Sequence, residues 1–201
     1  MSDRLRLFVS VGPDLEQERE YIGQAVARLP ISLGWAIQYT PGLQEKRGVD
    51  SEPIVNCHLH VVLLGMDIVA PVGWELWIAH RTGHASLGLL KEVVRTPAAT
   101  AFLRESDMTW IPFRGPAELI PLLQRTLGER LVEDPVHYGL PLTEWEALSA
   151  FLKAQSLAET ERAGEETRRG GAGRSGLILS PGHDLPPGGV LVGENVDKEV
   201  A

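Results

Sequence analysis

LHVVLLGMDIVAPVGWELWIAHRTG, residues 59–83, decides the fold class. Leu59–Leu64 is an almost unbroken apolar run with one interruption, His60. A strand apolar on both faces suits the interior of a parallel sheet, where helices cover each side. Gly65 ends the run, Gly65 to Gly73 reads as a loop, and Trp74 to about Gly83 reads as a helix. A strand followed at once by a helix is the repeating unit of α/β proteins.

The same alternation extends both ways. Leu5–Val11 (LRLFVSV) is an expected buried strand closed by Gly12-Pro13. Asp14 then stands where a helix N-cap belongs, followed by Glu16, Gln17 and Glu18 in the favourable first turn. Leu15, Ile22, Val26 and Leu29 form a helical stripe that stops before Pro30. Trp35–Tyr39 reads as a short second strand, and Pro41 to Pro53 as a loop or a ragged short helix. Ser86–Leu90 and Met108–Phe113 read as the fourth and fifth strands, the latter at an edge because of Pro112. Pro97–Glu105 and Pro116–Val132 read as helices, the second with Leu119, Leu122, Leu123 and Leu127 inward. The expectation is a mostly parallel α/β sheet of about five strands over residues 1–132. Such sheets bind ligands at the C-terminal ends of their strands.

Beyond this domain, residues 133–169 read as a helical extension opened by Thr143 and carrying Trp145, Leu148, Phe151 and Leu152. Residues 170–201 read as a Gly/Pro-rich tail, with eight glycines between 170 and 193. Its apolar runs Leu177–Leu179 and Val190–Val192 suit a hairpin or a segment that docks on a partner. The net charge of −8 is uneven. Residues 1–131 carry 13 Lys and Arg against 15 Asp and Glu, whereas the remaining 70 carry 6 against 12 and no aromatic residue after Phe151.

No Lys/Arg-rich run marks a nucleic-acid surface, and no apolar run approaches the ~18–20 residues of a membrane span. The N-terminal MSDRLRLFVSVGPDLEQERE lacks the apolar core and small-residue cleavage site of a signal peptide. One cysteine, Cys57, excludes an internal disulfide framework. A reduced, cytoplasmic protein is therefore expected.

Three constellations can carry chemistry. In SVGPDLEQERE, residues 10–20, a helix N-terminus follows a Gly-Pro turn, where free N–H groups can hold an anion. Asp14 is equally explained as a cap. In MDIVAPVGWELWIAH, residues 66–80, Glu75 enters the first turn of a helix at the rim of the sheet. A carboxylate there can bind a ribose or stabilise the oxocarbenium-like centre of N-glycosidic cleavage. It can also simply complement the helix dipole. Trp74 and Trp77 flank it, as pocket walls or as core. Third, His58 and His60 share a strand face, and His80 and His84 are four apart. No HEXXH pattern accompanies them, and no metal site is expected.

LFVSVGPDLEQERE resembles the opening strand and helix of TIR-like domains at the N-termini of bacterial STAND-type signalling NTPases, with Ser10, Asp14, Leu15, Glu18 and Arg19 in the matching places. VVLLGMDIVAPVGWELWIAHRTGH resembles that family's strand–loop–Glu–helix segment. It is also similar to nucleoside 2-deoxyribosyltransferases, in which Gly-x-x-x-Glu-x-x-x-Ala follows an apolar strand; Gly73, Glu75 and Ala79 match loosely. The resemblance covers roughly residues 5–131. It implies a flavodoxin-like sheet and a glutamate, Glu75, acting at an anomeric carbon. It further implies nucleotide contacts around Ser10, Gly12, Asp14, Gly65, Asp67, Gly73 and Trp74. Cys57-His58 stands where deoxyribosyltransferases carry an acidic residue, and the segment from Tyr39 to Asn56 lacks a clean helix. Many TIR-like domains are adaptors without activity. Two functions are thus implied: a signalling or defence module joined to a protein partner or a second copy, and an enzyme cleaving NAD⁺ or a nucleotide. NAD⁺ would then be a substrate, and no resident cofactor is expected.

Overall fold

The computed structural model of the chain describes residues 4–42, 45 and 50–170, with side chains as far as 161. The chain divides into a unit of residues 1–159 and another of 160–201. The sheet and the candidate site belong to the first. The expected Gly/Pro-rich tail lies outside the described residues from 171 onward.

Five parallel strands form one sheet: β1 (Arg4–Val11), β2 (Gly34–Tyr39), β3 (Leu59–Leu64), β4 (Ser86–Lys91) and β5 (Trp110–Phe113). Their order is β2-β1-β3-β4-β5, the flavodoxin-like arrangement expected from the sequence. The order reverses between β1 and β3. β5 is an edge strand, as Pro112 requires. The helices are α1 (Glu16–Ala27), α2 (Glu52–Val55), α3 (Ala70–Arg81), α4 (Pro97–Glu105), α5 (Pro116–Glu133) and α6 (Leu142–Gly170). Between β2 and β3 the described residues hold one helix, the single turn of α2.

Period-2 alternation assigns the two faces of the sheet. Leu5, Leu7, Val9 and Val11 of β1 and Val61 and Leu63 of β3 pack with Ile22 and Val26 of α1 and Leu119, Leu123 and Leu127 of α5. Leu148 of α6 joins this cluster, and the Trp145 indole N–H donates to the Val132 carbonyl at 3.2 Å. On the opposite face Phe8 packs with Ile54, Cys57, Ile78 and Ala79, beneath α2 and α3. All six residues of β3 are buried. Ser10 and His60 are also buried on this second face, two polar side chains where apolar ones would pack. No helix among the described residues is long and apolar enough to cross a membrane.

Two local expectations change. Asp14 does not cap α1: Gly12, Pro13, Asp14 and Leu15 form a 3-10 turn, and α1 starts at Glu16 without a side-chain cap. α3 starts at Ala70, four residues before the expected Trp74, because Pro71 occupies its first turn, where a missing N–H costs nothing.

Candidate active site

The early start of α3 moves Glu75 from the first turn to the second, where the helix macrodipole no longer accounts for a carboxylate. Val72, Glu75, Ile78 and Ala79 are the buried residues of α3, at the spacing of one helical face. Glu75 is therefore a carboxyl group on the face that packs against the sheet, and it is 0% exposed. A buried polar group without partners is costly, and a buried charge more so.

Its surroundings come from three elements. Thr40, directly after β2, donates its hydroxyl to Glu75 Oε2 at 2.6 Å. The same hydroxyl accepts the Val11 N–H at 3.0 Å, so the end of β1 fixes it. Arg19 of α1 donates through Nη2 to the Thr40 carbonyl at 2.9 Å. Its guanidinium also lies over the Tyr39 ring, 5.5 Å from the centroid. Glu75 Oε1 has no hydrogen-bond partner among the described residues. Burial raises the Glu75 pKa above the ordinary carboxylate value; the Thr40 hydroxyl, the nearby Ser10 hydroxyl and the Arg19 charge oppose this without cancelling it.

Glu75 forms part of the wall of a cleft of about 270 Å³ beside the C-terminal end of β2. Phe8, Arg19, Tyr39, Glu45 and Asp50 line it as well. The volume is just under the ~300–1,000 Å³ of drug-sized ligand sites. Three larger hollows, of about 490, 590 and 370 Å³, lie elsewhere. The first gathers His58, His84 and His137 at the N-terminal end of β3; the second runs between α3 and α4; the third lies against β5 and α5. None of them contains Glu75. Size alone would choose them, whereas a buried carboxyl group with a perturbed pKa singles out the smaller cleft.

The remaining residues implied by the resemblance fall into separate places. Ser10 is buried beside Glu75 and bonds to His60 at 3.0 Å. Gly12, Asp14 and Gly65 converge where the sheet order reverses, between β1 and β3. There Asp14 Oδ2 accepts the Met66 N–H at 2.7 Å, and a Cβ on Gly65 would collide with that carboxylate. Asp67 accepts the Ile68 N–H at 2.9 Å and the Thr96 hydroxyl at 2.5 Å, tying the loop after β3 to the start of α4. Gly73 borders the groove between α3 and α4 with Trp77. Trp74 is exposed. The structure thus brings Ser10 to Glu75 and sets the others around the neighbouring strand ends or outside them.

Thr40 has no signal in the sequence, since nothing local marks a threonine after a strand as a carboxylate donor. Cys57 is buried, and burial pushes its thiol up to about 11, far from thiolate reactivity. No group of three or more His, Cys, Asp or Glu among the described residues is placed to hold a metal ion.

No family model matches the chain, and no curated protein matches it. Among solved structures, the CMP N-glycosidase BcmB of Clostridium botulinum is similar at a TM-score of 0.40 and 19% identity, over 58% of this chain and 97% of that one. None of these findings bears on TIR-like signalling.

Proposed function

We propose that the protein cleaves the N-glycosidic bond of a ribosyl ligand (a nucleoside, a nucleotide or NAD⁺) and that Glu75 is its catalytic carboxylate. The observation that carries this reading is a fully buried carboxyl group on the wall of a cleft, with one oxygen held by Thr40 and the other unpartnered. As the glycosidic bond stretches, positive charge builds at the anomeric carbon and ring oxygen. An ionised Glu75 is poorly solvated in its site, so an approaching positive charge is worth more to it than in water. That attraction grows from ground state to transition state, which is the requirement for acceleration. Thr40 fixes the orientation of the carboxylate, and Arg19 helps to keep it ionised. The leaving base departs through the cleft and water takes the sugar.

The interaction-module reading draws no support from the site or the comparisons. The test is incubation with NAD⁺ and with a panel of nucleosides and 5′-nucleotides, following free base by chromatography. Base release by the wild type, reduced at least ~100-fold in Glu75→Gln with the fold retained, is the expected result. Equal release by both proteins overturns the assignment.

A further inference from the structure

The outer surface of α3 and its neighbour α4 has no part in the proposed reaction. Two of the five tryptophans are exposed, and both stand on α3: Trp74 is 40% exposed and Trp77 is 52% exposed. They lie three residues apart, away from the buried side that carries Glu75 and Ile78. Arg81 is one turn further on, and its guanidinium lies over the Trp77 ring, 5.0 Å from the centroid. Trp and Arg are residue types enriched where two proteins hold each other most strongly. Beside Trp77 runs the groove of about 590 Å³ between α3 and α4, with Leu76, Phe102 and Met108 in its walls. Single exposed apolar residues need no explanation, but a contiguous patch does. Gly73 borders the same groove, and a Cβ there would meet nothing within 4 Å in its own chain. Alanine would favour the helix by about 1 kcal/mol. The missing methyl group therefore serves no packing within this chain and leaves room for another.

The topology fixes how α3 and α4 are related. Each follows one of two adjacent parallel strands, β3 and β4, and each crosses over in the same direction along the sheet. Right-handed crossovers then place both helices on one face, side by side and pointing the same way. Their C-terminal ends differ in charge. α3 ends on His80 and Arg81. α4 ends on Arg104 and Glu105, which pair with each other at 3.1 Å, so Asp107 carries the net negative charge of that end. A two-fold axis parallel to the helices and above the groove lays α3 of one copy over α4 of a second, and α4 over α3, with no shift along their length. Arg81 of each copy then meets Asp107 of the other, and Trp77 of each meets Phe102 and Met108 of the other. A two-fold interface requires a patch that complements itself in this way.

We propose that the protein forms a two-fold dimer of this chain through α3 and α4. Trp77 is its apolar anchor, and the two Arg81–Asp107 pairs fix its alignment. The proposal does not depend on the enzyme reading, because the groove and the Glu75 cleft share no lining residue.

The experiment is sedimentation equilibrium of the full chain from micromolar to near-millimolar concentration. The wild type should be a dimer. Trp77→Ala removes both anchors and should weaken it at least ~30-fold. Arg81→Glu sets like charges against each other at two places and should weaken it at least ~10-fold. Arg81→Glu combined with Asp107→Lys exchanges the charges and should restore the wild-type dissociation constant. Trp77, Arg81 and Asp107 are all exposed in the single chain, so the variants keep the fold, which circular dichroism checks. A monomeric wild type overturns the proposal. A dimer indifferent to Trp77→Ala does so too, as does an Arg81→Glu defect that Asp107→Lys fails to repair. Base release enters none of these readings, so the dimer and the enzyme reading can each fail without the other.

Discussion

Replacing Thr40 by valine removes one hydroxyl that two buried groups share. Thr40 is itself buried; its Oγ1 donates to Glu75 Oε2 at 2.6 Å and accepts the Val11 N–H at 3.0 Å. Valine keeps the shape and leaves both groups without a partner. An orphaned buried N–H costs about 1–3 kcal/mol, and a hydrogen bond to a charged group is worth about 1.5–3 kcal/mol. The second contribution depends on pH. The Glu75 pKa is raised in the folded protein, so the native state binds more protons than the unfolded chain between the ordinary carboxylate value and the raised one. Stability therefore falls as pH rises through that window and stays low above it. At a pH below the ordinary carboxylate value Glu75 is protonated in the folded protein, and Thr40→Val should cost about 1–3 kcal/mol; at a pH above the raised value, where Glu75 is ionised, the cost should grow to about 2.5–6 kcal/mol. Thr40→Ser keeps the hydroxyl and loses one methyl group, which is worth about 1 kcal/mol at either pH. Urea denaturation of both variants at the two pH values measures the difference. Thr40→Val matching Thr40→Ser at both pH values, or a cost that does not change with pH, would refute the reasoning.

Other perturbations probe neighbouring claims. Glu75→Gln cannot ionise, so its stability relative to the wild type should rise as pH increases from 4 to 8, measured by the same denaturation; a constant difference would mean that Glu75 is not perturbed. Gly65→Ala drives a methyl group into the Asp14 carboxylate and onto Leu15, and should destabilise by about 1–3 kcal/mol in thermal unfolding. Leu148→Ala empties a fully buried position between α6 and the core and should cost about 2–5 kcal/mol; a loss below ~0.5 kcal/mol would mean that this turn of α6 does not hold the domain together.

The fold was readable because its signals are local. Leu59–Leu64 announces a strand covered on both faces, Gly12-Pro13 and Pro30 bracket the first helix, and Pro112 places the last strand at an edge. Glu75 was readable as a candidate because an acid after a strand–loop unit is conspicuous. Its true setting was not. Pro71 looked like a loop residue although a helix accepts proline in its first turn, and this shifted Glu75 by one turn. The partners of Glu75 come from far along the chain. Thr40 is 35 residues away, and the Ser10–His60 bond spans 50 residues. Such pairings depend on strand register and on where a strand ends, neither of which leaves a local pattern. Asp14 shows the same limit. It had the sequence position of a cap, but its carboxylate is used by the Met66 N–H, 52 residues on.

The central claim is that an ionised Glu75 acts at an anomeric carbon. The most direct measurement is the ratio of single-turnover base-release rates for wild type and Glu75→Gln, at saturating concentration of whichever ribosyl ligand the wild type cleaves fastest. A ratio of at least ~100 with ligand binding retained by the variant is the result expected of a group that acts on the transition state. A ratio near one, or no base released by the wild type from any nucleoside, nucleotide or NAD⁺, would contradict it.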